Sequence, residues 1–144
     1  MNLTIRGIST EDIQAVLGIR TAISNEEAGP DFRLLVEQHA AGDNSRISLV
    51  AETEKKVVGY MLSTTLYAGF GIQKSAWIMA LGVHPDYMGQ GIGLELANGT
   101  CDLYRKEGVK SIYSSVLWDS SDMLSFFKKL GFRRSDFINL KKDL

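Results

Sequence analysis

A single cysteine, Cys101, leaves no internal disulfide to form. Two histidines, with no cysteine or acidic cluster at ligand spacing around them, give no metal signature. Apolar runs are short and broken by glycine or polar residues, far from the roughly 20 residues of a membrane-spanning helix. The polar start Met1–Arg6 lacks the plan of a signal peptide. Neither charge dominates: 16 lysines and arginines face 17 aspartates and glutamates, so the broad basic footprint of a nucleic-acid binder is missing. Repeats, low-complexity tracts and Gly/Ser linkers are also lacking. A cytoplasmic, metal-free protein is expected, without nucleic-acid or membrane partners and folded as one domain over residues 1–144. A domain of that size buries roughly two-thirds of the surface its unfolded chain exposes.

What is present is an ordered series of amphipathic segments. Leu3-Thr4-Ile5 reads as a short strand. Ser9, Thr10, Glu11 and Asp12 supply capping oxygens and first-turn acids for a helix from about Thr10 to Ile23, with Ile13, Val16 and Leu17 on its apolar side. A second helix places Phe32, Leu35, Val36 and His39 on one face and ends near Ala41-Gly42. From Arg46 the period changes to that of strands: Ile47–Ala51 and Val57–Leu62 flank the polar Glu54-Lys55-Lys56 as a hairpin, and Ala76–Val83 is a third strand beyond a turn at Ala68–Gly71. Leu94, Ala97, Cys101 and Tyr104 mark a helix ending at Gly108. Ser111–Trp118 reads as a strand, Met123, Phe126, Phe127 and Leu130 as a helix stopped by Gly131, and Phe132–Leu140 as a returning last strand. The order β-α-α-β-β-β-α-β-α-β implies an α/β fold with a mixed, mostly antiparallel sheet flanked by helices.

The stretch Val83–Gly93, VHPDYMGQGIG, strips side chains from the point where a strand hands over to a helix. A helix start offers N–H groups without intrahelical partners and the positive end of the dipole, which suits phosphate when nothing blocks the approach. Gly89, Gly91 and Gly93 remove such an obstruction; a turn followed by a helix packed closely on the sheet explains them equally well. Two nucleotide motifs fail on the same residues. Gly93 is followed by Leu94-Glu95 and not by Lys-Ser/Thr, and one residue instead of two separates Gly91 from Gly93.

The stretch resembles the acyl-CoA-binding motif of the GNAT superfamily of N-acyltransferases, R/Q-x-x-G-x-G/A, often preceded by V-x-P. The run Phe126-Phe127-Lys128-Lys129-Leu130-Gly131-Phe132 is similar to the family's F-Y-x-x-x-G-F, and the element order matches over nearly the whole chain. The resemblance implies an N-acetyltransferase that moves the acetyl group of acetyl-CoA directly to a primary amine of a small molecule, with no metal. The backbone from Met88 through Gly89, Gln90, Gly91, Ile92 and Gly93 to Leu94 would hold the pyrophosphate. Backbone groups of Leu81 and Val83 would pair with pantetheine, Leu81 or Gly82 would supply the oxyanion donor, and Asp119 or Ser120 would touch the pantetheine arm. The strands around Val83 and Tyr113 would splay apart and admit the thioester, beside Phe126 and Phe127.

Two positions depart from the family pattern. Met88 stands where Arg or Gln is usual, which removes a side-chain hydrogen bond but leaves backbone binding intact. Phe127 stands where many members carry a tyrosine that protonates the departing thiolate. An alkylamine, with a pKa of about 10, must also lose a proton before it attacks, and Trp77, Met79 and Leu81 offer no base. Glu26 and Glu27, between the first two helices, are the candidates. His39 and His84 read as structural, Cys101 as buried and inert, and Tyr67, Tyr113 and Trp118 as candidate acceptor-cleft residues. A protein N-terminal or lysine acetyltransferase acting on a peptide, and a non-catalytic acyl-CoA-binding module, are the alternatives; family habit adds a homodimer.

Overall fold

The chain follows the predicted order of elements up to the last one, in a computed structural model that describes residues 2–68 and 73–144. Strand β1 (Leu3–Gly7) leads through a 3-10 turn (Thr10–Asp12) into helix α1 (Ile13–Ser24). The Asp12 carboxylate fixes that corner: it accepts from the Ser9 N–H at 2.8 Å and from the Arg6 guanidinium at 2.8 and 2.9 Å, while Arg6 also reaches Glu52 at 3.0 Å. Helix α2 (Pro30–Ala41) begins on a proline, whose missing N–H costs nothing in a first turn.

Strands β2 (Ser48–Thr53), β3 (Lys56–Ala68) and β4 (Gln73–Val83) form an antiparallel meander. Glu54 and Lys55 both take positive φ in the β2–β3 turn, the twist a two-residue hairpin requires. Helix α3 (Ile92–Lys106), strand β5 (Ile112–Ser114) and helix α4 (Ser121–Lys129) follow. The sheet order is β1-β2-β3-β4-β5, antiparallel except for the parallel β4–β5 pair. Its residues alternate between two cores. Leu49, Ala51, Val58, Met61 and Ile78 meet Ile92, Leu96 and Ala97 of α3 and Phe127 of α4; Val50, Tyr60 and Leu62 meet Val16, Leu17 and Ile19 of α1 and Val36 of α2.

One buried polar cluster ties α3 to the sheet: the Ser63 hydroxyl donates to the Ile47 carbonyl and pairs with the Tyr104 hydroxyl at 2.7 Å. Tyr104→Phe removes one partner from a fully buried serine. A loss of about 1–2 kcal/mol in urea unfolding is expected, and the double variant with Ser63→Ala should show non-additivity. Strict additivity would mean that the pair is not coupled.

Four expectations about elements are corrected. The last strand, Phe132–Leu140, does not form: beyond Phe132 the chain runs without regular structure. Arg133-Arg134-Ser135-Asp136 offers no buried face, and Phe137 and Ile138, being adjacent, cannot share one. The segment touches β5 and the residue after it through side chains, Phe137 edge-on to Tyr113 at 6.3 Å and Asn139 Nδ2 donating to Ser115 Oγ at 2.9 Å. The predicted strand Ser111–Trp118 shortens to three residues, because β4 turns away from it beyond Ile78. Leu94 is exposed, and the buried stripe of α3 is instead Ile92, Leu96, Ala97, Thr100 and Tyr104. Cys101 is half-buried, not buried, although partial burial still pushes its thiol pKa up. The turn at Ala68–Gly71 lies, beyond Ala68, outside the described residues.

Candidate functional site

The glycine-rich connection has a separate reason for each glycine. His84, the residue after β4, still donates its N–H to Val58 at 2.8 Å, and its Nδ1 accepts from the Asp86 N–H at 3.1 Å, capping a 3-10 turn over Pro85–Tyr87. Gly89 and Gly91 both have φ of +80°, a backbone region side chains disfavour, so they turn the chain. Gly93 is needed for contact: a Cβ there would lie 3.0 Å from Cε1 of Phe126. This glycine lets α4 close against the first turn of α3, while Ile92, 1% exposed, pins that turn to the sheet.

The result is an uncapped helix start. Gly91 is the N-cap and has no side chain to fold back. The first intrahelical bond runs from the Glu95 N–H to the Gly91 carbonyl at 3.0 Å, so the N–H groups of Ile92, Gly93 and Leu94 precede the ladder. The surrounding Met88, Gly89, Gln90 and Gly91 are exposed. Backbone donors and the positive end of a 15-residue helix dipole thus face outward at one place.

A cleft opens next to it, between β4 and the chain after β5. The register pairs Leu62 with Ala80 and Ser63 with Ile78, which leaves Met79 unopposed as a bulge. Only Ala76–Ile78 pair with Ile112–Ser114; beyond the bulge the two strands separate. Because His84 bonds to β3, alternation turns Gly82 and Ala80 inward to β3 and leaves the backbone groups of Leu81 and Val83 on the open side. The cleft encloses about 190 Å³. One wall is Ile78–Leu81, the other Ser114–Leu117, and its floor is Ser120, Met123 and Phe127 of the α4 region. Among the described residues no ionisable side chain lines it.

Leu81, Ser120 and Phe127 lie together in the lining of this one cleft. Phe127 is 5% exposed and held edge-on between Phe126 at 5.3 Å and Phe132 at 4.9 Å. Gly82 lies behind β4, where a Cβ would come within 2.8 Å of the Tyr60 ring, and Val83 packs into the core. Asp119 is exposed and outside the cleft. Glu26 and Glu27 are exposed in the α1–α2 connection and form no part of the lining either. Tyr67 and Trp118 project into solvent, and Tyr113 stacks on Trp77 at 4.9 Å, so none of these aromatics lines the cleft. His39 is buried with Nδ1 2.6 Å from Ser48 Oγ, a packed histidine as read from the sequence. Met79, Ser114, Ser115 and Met123 were missed. Their signal was the exposure of Met79 between the buried Ile78 and the half-buried Ala80, which shows only in three dimensions. Among the described residues no group of three or more His, Cys, Asp or Glu is placed to hold a metal ion, and no helix is long and apolar enough to cross a membrane.

Comparison with known proteins follows the same lines. A family model described as the acetyltransferase (GNAT) family matches residues 14–132. Among solved structures, the chain is similar to AAC(6')-Iy in complex with a bisubstrate analogue, CoA-S-monomethyl-acetylneamine: 14% identity, TM-score 0.83, covering 100% of this chain and 99% of that one. It also resembles the aminoglycoside acetyltransferase meta-AAC0020 from an uncultured soil metagenomic sample, at 20% identity, TM-score 0.77, and 99% and 96% coverage. A third similar structure is a ribosomal-protein-alanine N-acetyltransferase from Brucella melitensis biovar Abortus 2308, at 15% identity, TM-score 0.78, and 99% coverage of both chains. At these identities the likeness is one of fold.

Proposed function

The chain belongs to the acetyltransferase (GNAT) family, and from that membership we propose that it is an N-acetyltransferase, one domain over residues 1–144, that uses acetyl-CoA to acetylate a primary amine of a small molecule. One observation carries the reading: the uncapped N–H groups of α3 continue directly into the unpaired edge of β4 and the cleft beside it. The residues fit such a cosubstrate along its length. The amides from Gly89 to Leu94 suit a pyrophosphate, the outward backbone groups of Leu81 and Val83 suit the amides of a pantetheine arm, and Ser120 and Phe127 border the place a thioester would reach. CoA-bound and aminoglycoside-modifying neighbours of the same fold support the choice of cosubstrate and of a small amine acceptor.

In this reading Leu81 supplies the oxyanion donor. Gly82, the other candidate, spends its backbone groups on β3, whereas the Leu81 N–H faces the cleft, where a preorganised donor stabilises charge developing on a carbonyl oxygen. The amine nitrogen forms a bond to the carbonyl carbon, the carbon–sulfur bond breaks, and no acyl-enzyme forms. One amine proton must leave to a base, for which Glu26 or Glu27 in the connection between α1 and α2 remains the proposal, acting through water because neither reaches the cleft lining. The thiolate leaves as its anion and takes its proton from water, since Phe127 has none to give.

The test is calorimetric titration with acetyl-CoA, followed by thiol release against a panel of alkylamines, aminoglycosides and peptides with free N-termini. Binding with release driven by small amines is the expected outcome. Release by peptides alone would move the acceptor to protein, binding with no release would favour a non-catalytic acyl-CoA module, and failure to bind would refute the cosubstrate.

A further inference from the structure

The bulge at Met79 carries the cleft through the sheet. Ile78 and Leu81, on either side of it, pack into the core under α3 and α4, whereas Ala80 packs into the core under α1 and α2, and all four residues line the cleft. In the proposed function the cosubstrate lies along α3, which leaves the α1/α2 face to the acceptor. That face is aromatic. Tyr60 covers Gly82, where an added Cβ would meet its ring at 2.8 Å; Phe32 stands edge-on to Tyr60 at 6.1 Å, and the Arg20 guanidinium lies over Phe32 at 5.3 Å. The charge in this stack is positive. Burial raises the Tyr60 phenol to about 12, and the Arg20 charge opposes that rise only in part, so the hydroxyl keeps its proton and is no base near neutral pH. Among the described residues no ionisable side chain lines the cleft itself; Glu26, Glu27, Asp31 and Asp119 are exposed outside it.

We propose that the acceptor is an aromatic amine or aryl hydrazine, whose nitrogen is uncharged at neutral pH, in place of an alkylammonium. The inference rests on the proposed acetyl transfer and narrows its acceptor. An alkylamine of pKa about 10 is neutral in roughly one molecule per thousand at pH 7, and its ammonium would enter a lining of methionine, leucine, phenylalanine and serine with no carboxylate to pair it. The cation on the acceptor face, Arg20, repels it. A weakly basic nitrogen avoids both costs and attacks as it stands: the N–C bond forms, the carbonyl π pair moves to oxygen, and as that pair returns the C–S bond breaks with its electrons on sulfur. The attacking nitrogen, cationic once bonded, is strongly acidic. Its proton therefore leaves through water toward Glu26 or Glu27 with no base in contact, and the thiolate takes a proton from water, so that amine and thioester become amide and thiol. Met79, 49% exposed at the bulge, offers a polarisable thioether to a flat aromatic body.

The test compares acetyl-CoA-dependent thiol release for acceptors matched in size: aniline and phenylhydrazine, uncharged at neutral pH, against benzylamine and phenethylamine, which are protonated there. Calorimetry on the same samples measures acetyl-CoA binding separately. At pH 7 the better of the two weak bases is expected to exceed benzylamine in kcat/KM by about 10²-fold or more, following the neutral fraction. Benzylamine should gain about tenfold per pH unit between 7 and 9, while aniline stays level. Met79→Glu, at a half-exposed position, sets a carboxylate on the lining to pair with an ammonium and take its proton; it should move the ratio toward benzylamine by about tenfold or more. Benzylamine that matches the weak bases at pH 7, or a ratio that Met79→Glu leaves unmoved, overturns the proposal. So does the lack of release from either aromatic acceptor by a chain that binds acetyl-CoA, a result that leaves the cosubstrate standing. A chain that does not bind acetyl-CoA overturns both readings.

Discussion

Phe127→Tyr is expected to raise the turnover of acetyl-CoA with a good amine acceptor by about 10²-fold or more, within the roughly 10²–10⁴-fold that a positioned general acid contributes. The ring of Phe127 borders the cleft at its floor and is fixed by edge-on contacts to Phe126 and Phe132, so a para hydroxyl would be added to a side chain that already has one orientation. Ser114, Ser115 and Ser120 line the same cleft, so the new hydroxyl would enter a partly polar space, which limits the cost of burying it. A thiol with a pKa of about 8.5 leaves tolerably as its anion, which is why the native chain is expected to turn over at all; a phenol of pKa about 10 delivers the proton as the bond breaks. Three readouts separate this from a structural effect. KM for acetyl-CoA should change little, kcat should carry the gain, and the variant should acquire a basic limb in its pH profile that the native chain lacks. Unchanged kcat in a variant that still binds acetyl-CoA would mean that sulfur is already protonated by another route, and Phe127 would then be a packing residue only.

The same residues show how far the sequence could be read. The motif Val83–Gly93 was legible because its determinants are local: two glycines at positive φ, one against a neighbouring ring, and a helix start that follows at once. The helix that carries Phe127 was legible because Phe126, Phe127, Leu130 and the Gly131 stop define one helical face and its end. The bulge at Met79 was not legible, because a one-residue slip of pairing leaves no mark in an apolar run, and it is this bulge that opens the cleft and sets Leu81 outward. Leu94 was grouped with Ala97, Cys101 and Tyr104 because a 3.6-residue period allows more than one starting point; the buried Thr100 fixes the phase but does not register as apolar. The tail failed for a different reason. Phe137, Ile138 and Leu140 have the composition of a strand, and composition does not say whether a partner strand exists in the same copy.

Acidification should cost about 3 kcal/mol of unfolding free energy between pH 6.5 and 4, most of it through one side chain. His39 is 4% exposed at the end of α2, with Nδ1 against Ser48 Oγ at 2.6 Å. Burial, with a smaller push from the Arg46 charge, lowers its pKa from 6.5 to about 4, and Asp43 opposes this only in part. In the unfolded chain the imidazole gains its proton as pH falls through 6.5; in the folded chain it stays neutral until about 4. Across that window the unfolded state binds the extra proton, so stability is fully present above 6.5 and drains as pH falls, the loss being complete once the folded histidine also protonates. The Arg6–Asp12 pair contributes little in this range and only at its acid end: Arg6 holds the Asp12 carboxyl below the ordinary carboxylate value, so its share is present above the unfolded pKa and most of it is lost in more acid solution. Urea unfolding followed by circular dichroism at intervals from neutral to pH 4 measures the slope. His39→Gln, which keeps a polar partner for Ser48 but cannot titrate, should flatten the curve over the same window while lowering stability at neutral pH by no more than about 1–2 kcal/mol. A native curve already flat across the window would place His39 in contact with water and remove burial as the cause.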